Sequence, residues 1–352
     1  MTVALGTLAK LALVKGATWG TAVALSTGHR VPFVSSSLDY QRDQIPNDDI
    51  SGRPMRQSSV LGNAFVDGSV VISGDYNQAP HLLLAAVMMG TAGVPTTVET
   101  GVYKHALLLA ADVQGLFLSA GLDYGGVDVY GFDSIKPVRR LIQIASGGRL
   151  DETYEFQGRG VDKTLTSPGW TYADDPTDGG TLRVLHRQMV VRVNASAGGA
   201  LATPADVVYP TQLEIDINRG HTTEYAQAGE PDEPTPADFG SVTVRLTFYG
   251  MSAALLTLFR DSKDDGTPLK LDAVIDHGTL IGATENSTRA FYLPKLIVTE
   301  CPNTVPGPGR VPMSVVMTAH QAASDPTGFP TGYGAVELVD EWQNEQSADP
   351  LA

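Results

Sequence analysis

The stretch Gly68-Ser-Val-Val-Ile-Ser-Gly-Asp-Tyr76 joins a strand-like run of β-branched residues to the apolar segment His81-Leu-Leu-Leu-Ala-Ala-Val-Met-Met-Gly90. A second stretch of the same kind, Gly240-Ser-Val-Thr-Val-Arg-Leu-Thr-Phe-Tyr249, precedes Ser252-Ala-Ala-Leu-Leu-Thr-Leu-Phe-Arg-Asp261. A strand, a short helix and a glycine-bearing turn that occur twice indicate one module used twice. We therefore expect the function to come from symmetric assembly of these modules and not from a catalytic cleft.

Flanking segments repeat in the same order. Residues 38–43 and 211–218 alternate apolar and polar side chains, which predicts half-buried strands, and each is followed by a long polar loop. Each half then ends on a predicted hairpin whose turn closes with Gly-Arg, at Arg149 and at Arg310. This order predicts a mainly β fold of two tandem β-sandwich or barrel modules, each with a short helix. The predicted boundaries are an extended N-terminal arm at 1–35, a first module at 36–165, a linker at 166–181, a second module at 182–325 and a C-terminal tail at 326–352.

Composition agrees with many strands joined by turns. The 352 residues include 37 glycines and 22 prolines, and only 18% are charged. With 24 basic and 39 acidic residues, the formal charge is −15. This charge disfavours a surface that binds the phosphates of nucleic acid and favours a surface that repels DNA. The lone Cys301 permits no intrachain disulfide and is interpreted as a small buried residue. The apolar run 82–89 is shorter than the ~20 residues of a membrane span, so an intracellular product without a membrane segment is expected.

Catalytic motifs are not found in the sequence. The seven histidines are scattered without metal-ligand spacing, and no nucleophile elbow, P-loop or dinucleotide fingerprint occurs. Asp276-His277 could form an acid–base pair, but adjacent strand residues face opposite ways, and a turn before Gly278 is the simpler interpretation. The acidic run 174–180 lacks the spacing of a calcium loop. We predict no enzyme activity and no cofactor or metal.

Several of these features together resemble the tail tube proteins of long-tailed, non-contractile bacteriophages. They are Lys15-Gly-Ala-Thr-Trp-Gly-Thr-Ala22, the 38–43 strand with Ile50-Ser-Gly-Arg53 in the loop after it, the strand from Gly68, the leucine-rich helix ending at Gly90, and Leu293-Pro-Lys295 ahead of the last hairpin. The resemblance covers most of the chain. It implies tail-tube-like modules whose strands join those of neighbouring subunits into a barrel around a channel, with rings that stack into a tube.

The resemblance also implies stoichiometry and partners. Six modules normally form a ring, so two modules per chain imply three chains in a pseudo-sixfold ring. The implied partners are other copies of the chain, a tape-measure protein, tail terminator and tip proteins, and DNA in non-specific transit on ejection. The implied location is the virion tail, with assembly in the host cytoplasm.

Acidic side chains on the alternating strands are candidates for the lining of such a channel, because an acidic lining repels DNA within a Debye length of ~8 Å. The candidates are Asp39, Asp43, Asp151, Glu155, Glu214 and Asp216. A solvated outer face would alternate in the same way, since alternation identifies a polar face without giving its direction.

The two long loops carry charges of opposite sign, which predicts complementary contacts between rings or protomers. The candidates are Arg53 and Arg56 in the first loop, and Glu230, Asp232, Glu233 and Asp238 in the second. Two unrelated solvated loops are the alternative. Trp19 is the candidate contact residue of the N-terminal arm.

A second class of function also fits tandem β-sandwiches: a binding or attachment module such as a tail-tip protein, an adhesin or a carbohydrate-binding protein. The tryptophans disfavour it. Trp19, Trp170 and Trp342 are far apart in the sequence, whereas a sugar platform needs clustered aromatic rings.

Overall fold

A computed structural model describes residues 6–26, 28–47, 59–163, 170, 182–225, 229–302 and 309–352. The strands are antiparallel throughout, and eighteen of them form one hydrogen-bonded system, with a separate two-stranded pair beside it. The predicted mainly β fold is confirmed. Among the described residues, no helix has both the length and the apolar character needed to cross a membrane.

Ten strands lie in the first half of the chain. Their bounds are β1 (Lys10–Lys15), β2 (Arg30–Val31), β3 (Ser35–Ser36), β4 (Asp39–Pro46), β5 (Ser59–Ser73), β6 (Thr96–Glu99), β7 (Val102–Leu108), β8 (Leu118–Asp123), β9 (Val129–Ala145) and β10 (Leu150–Arg159). Helix α1 (Ala79–Met89) follows β5. Its N-terminal turn contains a proline, and it ends at Gly90, which adopts the left-handed conformation that glycine tolerates best.

The second half supplies the other ten strands. Their bounds are β11 (Met189–Ala195), β12 (Val207–Val208), β13 (Gln212–Asn218), β14 (His221–Thr222), β15 (Thr235–Pro236), β16 (Ser241–Phe248), β17 (Leu269–Leu280), β18 (Asn286–Glu300), β19 (Met313–His320) and β20 (Val339–Asn344). Helix α2 spans 253–265 and is π-helical at Leu256–Asp261. Single 3₁₀ turns occur at Gly6–Leu8, His186–Gln188 and Tyr333–Ala335.

Both halves pair their strands in one order. In the first half the order is β2, β1, β8, β9, β10, β5 and then β3 with β4. In the second half the order is β12, β11, β17, β18, β19, β16 and then β13. In each half the helix follows the same strand, β5 or β16. The repeated module is therefore a repeat of topology as well as of sequence pattern.

Two irregularities in the ladders fix which residues correspond. The β8–β9 ladder shifts register between Leu118 and Ala120, and the β17–β18 ladder shifts between Leu269 and Leu271. The β9–β10 ladder shifts register between Glu155 and Phe156, and the β18–β19 ladder shifts register between Val298 and Glu300. Because both shifts recur at corresponding places, they are inherited features of the module rather than local defects.

This correspondence corrects the alignment of the two opening stretches. Glu155 lies opposite Ser69 and Arg139, whereas Val316 lies opposite Arg245 and Glu300. Ser69 thus corresponds to Arg245, so the two Gly-Ser-Val runs are offset by four residues. The similarity of the two runs reflects strand propensity, which is compatible with several alignments of the two strands. The ladder shifts are compatible with only one alignment.

The halves are joined through strands and not only through a linker. β9 pairs with β13 of the second half from Arg139–Asn218 to Ala145–Gln212. This in-chain seam makes one continuous run of eight strands, in the order β4, β5, β10, β9, β13, β16, β19 and β18. One face of the run is apolar and buried, as Ile142 and Ile215 show at the centre of the seam.

Residues of the predicted arm and of the predicted tail form strands of the sheet system. The arm contributes β1 and β2 to the first sandwich, because Leu11 and Leu13 are buried there. The tail contributes β20, which lies between β7 and β18 and is buried along its whole length. Asp340 of β20 pairs with two buried arginines, Arg140 and Arg289. Most of the predicted linker lies outside the described residues.

Candidate functional site

Five of the six acidic candidates lie on one surface of the eight-stranded run. Cross-strand partners share a face of a sheet, and Asp151 is opposite Gln143, which is opposite Glu214. Four residues farther along β10, Glu155 is opposite Arg139 on β9. We call this surface the polar face, and its candidate residues are Asp39, Asp151, Glu155, Glu214 and Asp216. Asp43 is exposed on β4 beside the register shift that separates β4 residues 42 and 44.

Arginine and amide partners hold these acids in place. The Arg139 guanidinium bridges Asp216 and Glu155. Its Nε and Nη2 donate to Asp216 at 2.9 and 2.7 Å, and its Nη1 donates to Glu155 at 3.0 Å. Gln143 donates to Glu214 at 2.9 Å, and Arg149 donates to Asp151 at the same distance. The hydrogen bonds that Arg139 donates to Asp216 outweigh partial burial and raise the pKa of Arg139 above its ordinary value.

The sequence pattern found the acids of this face but not these partners. Arg139 stands next to Arg140, and a pair of adjacent basic residues gives no sign that one faces the acids and the other faces the core. Strand alternation predicts the split only after the strand is known. The polar face is therefore a mixed surface with an excess of acids.

The second acidic loop folds back on its own chain. Glu233 accepts from Lys136 Nζ at 2.6 Å and from the Gly115 amide at 2.8 Å, while Glu230 pairs with Arg159. We call the segment 219–238, which carries β14 and β15, the acidic hairpin. It binds the first half across the in-chain seam, so two of its four candidate acids already have partners within the chain.

The other loop candidates divide between described and undescribed parts. The Asp232 amide donates to Glu224 O at 2.9 Å, and Asp238 accepts from the Phe239 amide at 2.7 Å. Arg53 and Arg56 lie outside the described residues, so their predicted contact with the acids stays a prediction. Trp19 donates from Nε1 to Pro231 O of the acidic hairpin at 3.1 Å and packs edge-on against Phe117 with ring centroids 5.2 Å apart.

Burial of His221, at the base of the acidic hairpin, predicts that the stability of the chain depends on pH. Burial lowers its pKa to about 4, with Lys136 and Arg219 adding to the effect. The unfolded chain takes up this proton near pH 6.5, so the unfolded state binds more protons between about pH 6.5 and 4. We therefore expect the free energy of unfolding to decrease as the pH is lowered from about 6.5 to 4. The dependence of this free energy on pH should be weaker in His221→Gln.

Denaturant titrations at pH 7, 6, 5 and 4 measure this effect. His320→Gln, which alters an exposed histidine at the end of β19, serves as the matched control. An equal pH dependence in the wild type and His221→Gln would show that His221 does not couple protonation to stability.

A buried charge cluster joins the two halves beneath the polar face. Arg140 on β9 donates to Glu152 at 2.8 Å and to Asp340 at 2.7 Å, and Arg289 on β18 donates to the same two carboxylates. The four side chains are fully buried. Burial alone would raise the pKa of Glu152, but Arg140 and Arg289 hold that pKa well below its ordinary value.

The cluster is completed by aromatic and imidazole groups. Tyr154 donates to Glu152 at 2.7 Å, and His81 of α1 lies 3.1 Å from the same carboxylate. The Arg289 guanidinium stacks over Trp342, 3.9 Å from the ring centroid. With two arginines and two carboxylates the charges balance, which buried ions require. The cluster explains how the acidic strand β20 can be central in the fold.

The described residues show no constellation that suggests catalysis. No group of three or more His, Cys, Asp or Glu side chains in them could hold a metal ion. Cys301 is buried, and burial raises the pKa of its thiol, which makes it a poor nucleophile. Trp170 and Trp342 are buried in the core, so they cannot form a sugar-binding platform.

A duplicated β-sandwich that carries an acid-rich face and, among the described residues, has β4 as an edge strand has the architecture of a structural protein that associates with itself. The sequence profile of the family described as phage tail tube protein matches residues 6–328, nearly the whole chain. The chain belongs to the phage tail tube protein family. It is a structural protein of the tail tube, and it is a component of the virion tail. No curated protein matches it.

Proposed function

We propose that three chains associate head to tail into a ring, that rings stack into a hollow tube, and that DNA passes through the bore during ejection. The observation that carries this proposal is the in-chain seam, in which β9 of one half pairs with β13 of the other. The eight-stranded run ends in β4 on one side and β18 on the other, and the repeated registers make these strands the equivalents of β13 and β9.

The unpartnered surfaces are the outer edge of β3 and β4 and the end of β18. By the repeated registers, Gln41 corresponds to Asn218 and Glu300 corresponds to Arg139, and Asn218 and Arg139 are partners in the seam. On β4, the Tyr40 amide donates to the adjacent Asp39 side chain at 2.8 Å, and no other partner for it occurs among the described residues. Such an edge is a site for strand addition from another chain.

Repeating the seam between chains produces a closed assembly. The interface is heterologous, since the second half of one chain meets the first half of the next, and such interfaces close into rings when the rotation divides a full turn. Three chains supply six halves, the number that the family resemblance implies for one ring. Contacts along the axis remain open, and stacking through them would build the tube.

The polar face is the surface we assign to the bore. Its opposite face is the buried core, so in a closed ring the polar face lies either on the inside or on the outside of the barrel of strands. The excess of acids favours the inside, where repulsion keeps DNA from adhering within a Debye length of ~8 Å.

Charge reversal tests this assignment. We expect Glu214→Lys with Asp216→Lys to assemble into tubes but to reduce DNA ejection from virions, because the lysines would bind phosphate in the bore. Asp264→Lys with Asp265→Lys changes the net charge equally at exposed positions on α2 and serves as the control. Normal ejection through tubes that carry the first pair of lysines would rule out this lining.

Electron microscopy and mass measurement of the purified protein test the assembly itself. We expect hollow tubes, and rings whose mass equals three chains. A ring mass of six chains would overturn the proposed stoichiometry, and monodisperse monomers at high concentration would overturn self-assembly.

The remaining partners are proposed from family resemblance. They are a tape-measure protein inside the tube and terminator and tip proteins at its ends, met during assembly in the host cytoplasm. The proposed contact of Arg53 and Arg56 with acids of a neighbouring copy is checked by Arg53→Glu with Arg56→Glu, which should slow polymerisation. Polymerisation at the wild-type rate would discard that contact.

A further inference from the structure

Each half begins with the same short element. A 3₁₀ turn, Gly6–Leu8, precedes β1, and another, His186–Gln188, precedes β11. The ladders place the two turns in register, because Lys15 lies opposite Leu118 and Ala195 lies opposite the corresponding Leu269. The first turn therefore corresponds to the second, residue by residue.

Residues 184–186, which lead into the second turn, join the two halves. The Val184 amide donates to Gly74 O at 3.1 Å, and Val184 O accepts from the Leu150 amide at 2.8 Å. The His186 amide then donates to Gly148 O at 3.1 Å. The segment that leads into β11 thus covers the end of the first half, at the turn after β5 and at the β9–β10 hairpin.

At the corresponding end of the second half, the described residues include no covering segment. Its equivalents of Gly74, Gly148 and Leu150 are Gly250, Gly309 and Val311. Within the described chain, no hydrogen bond joins Gly250 O or the Val311 amide to another residue. The Met251 amide donates to Val311 O at 2.9 Å, so the local turn is formed without a covering segment.

A cavity beside this end is lined by both apolar and polar side chains, with Asn194, Asp206 and Ser252 as the polar ones. Its volume is about 560 Å³, and it lies between β11, β12 and α2. Phe248 and Leu258 line its floor, while Tyr209 and Tyr249 at its rim are 81% and 66% exposed. Large aromatic rings that are left in water beside an open cavity mark an interaction surface.

We propose that the N-terminal segment of a second copy of this chain, ending in its turn Gly6–Leu8, docks on this end of the second half. The template is the in-chain contact of His186–Gln188, and Leu8, 55% exposed on the free turn, is an apolar residue available for burial. This inference depends on the proposed head-to-tail ring and identifies a second contact in its interface, separate from the strand seam. The N-terminal turn is then a clasp between neighbouring chains.

Cysteine cross-linking of assembled protein tests the clasp. In a Cys301→Ser background, Gly6→Cys with Arg310→Cys should be joined by a short bismaleimide into covalent dimers and trimers, with loss of most of the monomer band. Gly6 has open space at its Cβ position, so the substitution fits. The matched in-chain control is His186→Cys with Arg149→Cys, which should cross-link within the monomer.

A second pair separates failure of the clasp from failure of the ring. Gln41→Cys with Glu300→Cys reports the strand seam between chains. Tubes in which this pair is cross-linked and the Gly6–Arg310 pair is not would overturn the clasp and leave the ring intact. If neither pair links chains and no tubes form, both proposals are overturned. Chain-to-chain products from both pairs support both.

Discussion

Replacing Arg289 by methionine is expected to lower the free energy of unfolding of the unassembled chain by about 3–5 kcal/mol. The substitution leaves Asp340 with one buried arginine instead of two and removes the donor that Arg289 provides to Glu152. Both carboxylates are fully buried, so neither can recover its lost partner from water. The cation–π contact with Trp342 is lost as well.

Urea titration of dilute, unassembled protein, followed by tryptophan fluorescence, measures this effect. Low concentration matters because association adds its own stabilisation by mass action. Arg260→Met is the matched control, since Arg260 pairs with Asp261 at 3.4 Å on the partly exposed α2 and should change stability by no more than about 0.5 kcal/mol. If the two variants lost equal stability, the buried cluster would not be the connection between the halves that we infer.

The second large effect is expected at the strand edges that form the ring. Gln41→Cys and Glu300→Cys, in a Cys301→Ser background, should form a disulfide between chains when tubes are oxidised. If the seam is repeated between chains, the two residues lie directly opposite each other, as Asn218 and Arg139 do within the chain. Antiparallel partners have Cα atoms about 4.5–5.5 Å apart, within the range that a disulfide spans.

Non-reducing electrophoresis should then convert most chains into covalent species up to three chains in size. Gln41→Cys alone and Glu300→Cys alone are the controls, and each should remain monomeric on the gel. Oxidised tubes that release only monomers would show that these edges do not meet. Bands at six chains would support the seam but exclude a ring of three.

The strand pattern of the sequence predicted much of this architecture. Period-two alternation at 211–218 and 150–158 identifies which side chains share a face, because successive Cβ atoms point to opposite sides of a strand. The structure places Glu214, Asp216 and Asp151 on the polar face in agreement with that pattern. The polar–apolar division is a local property, so local sequence is sufficient to predict it.

The role of β20 was not predictable in this way. Val-Asp-Glu-Trp-Gln-Asn is typical of a solvated acidic end, and its burial depends on Arg140 and Arg289, which lie 200 and 51 residues away in the chain. Burying a carboxylate is unfavourable unless a cation reaches it, and only the folded chain brings these arginines together. The acidic hairpin is a similar case, because Lys136 and Arg159 pair with Glu233 and Glu230 across the seam.

By itself the sequence determined the class of fold, the duplication and the acid-rich faces, since each is written in residue type and spacing within short segments. Only the tertiary structure decided the register of the repeat, the strand seam between the halves and the buried charges beneath it. These depend on which distant strands meet, and local propensity is compatible with several registers. The ladder shifts at Leu118 and Leu269 fix how the first half aligns with the second. That alignment identifies the surfaces that we propose for contact with a second copy.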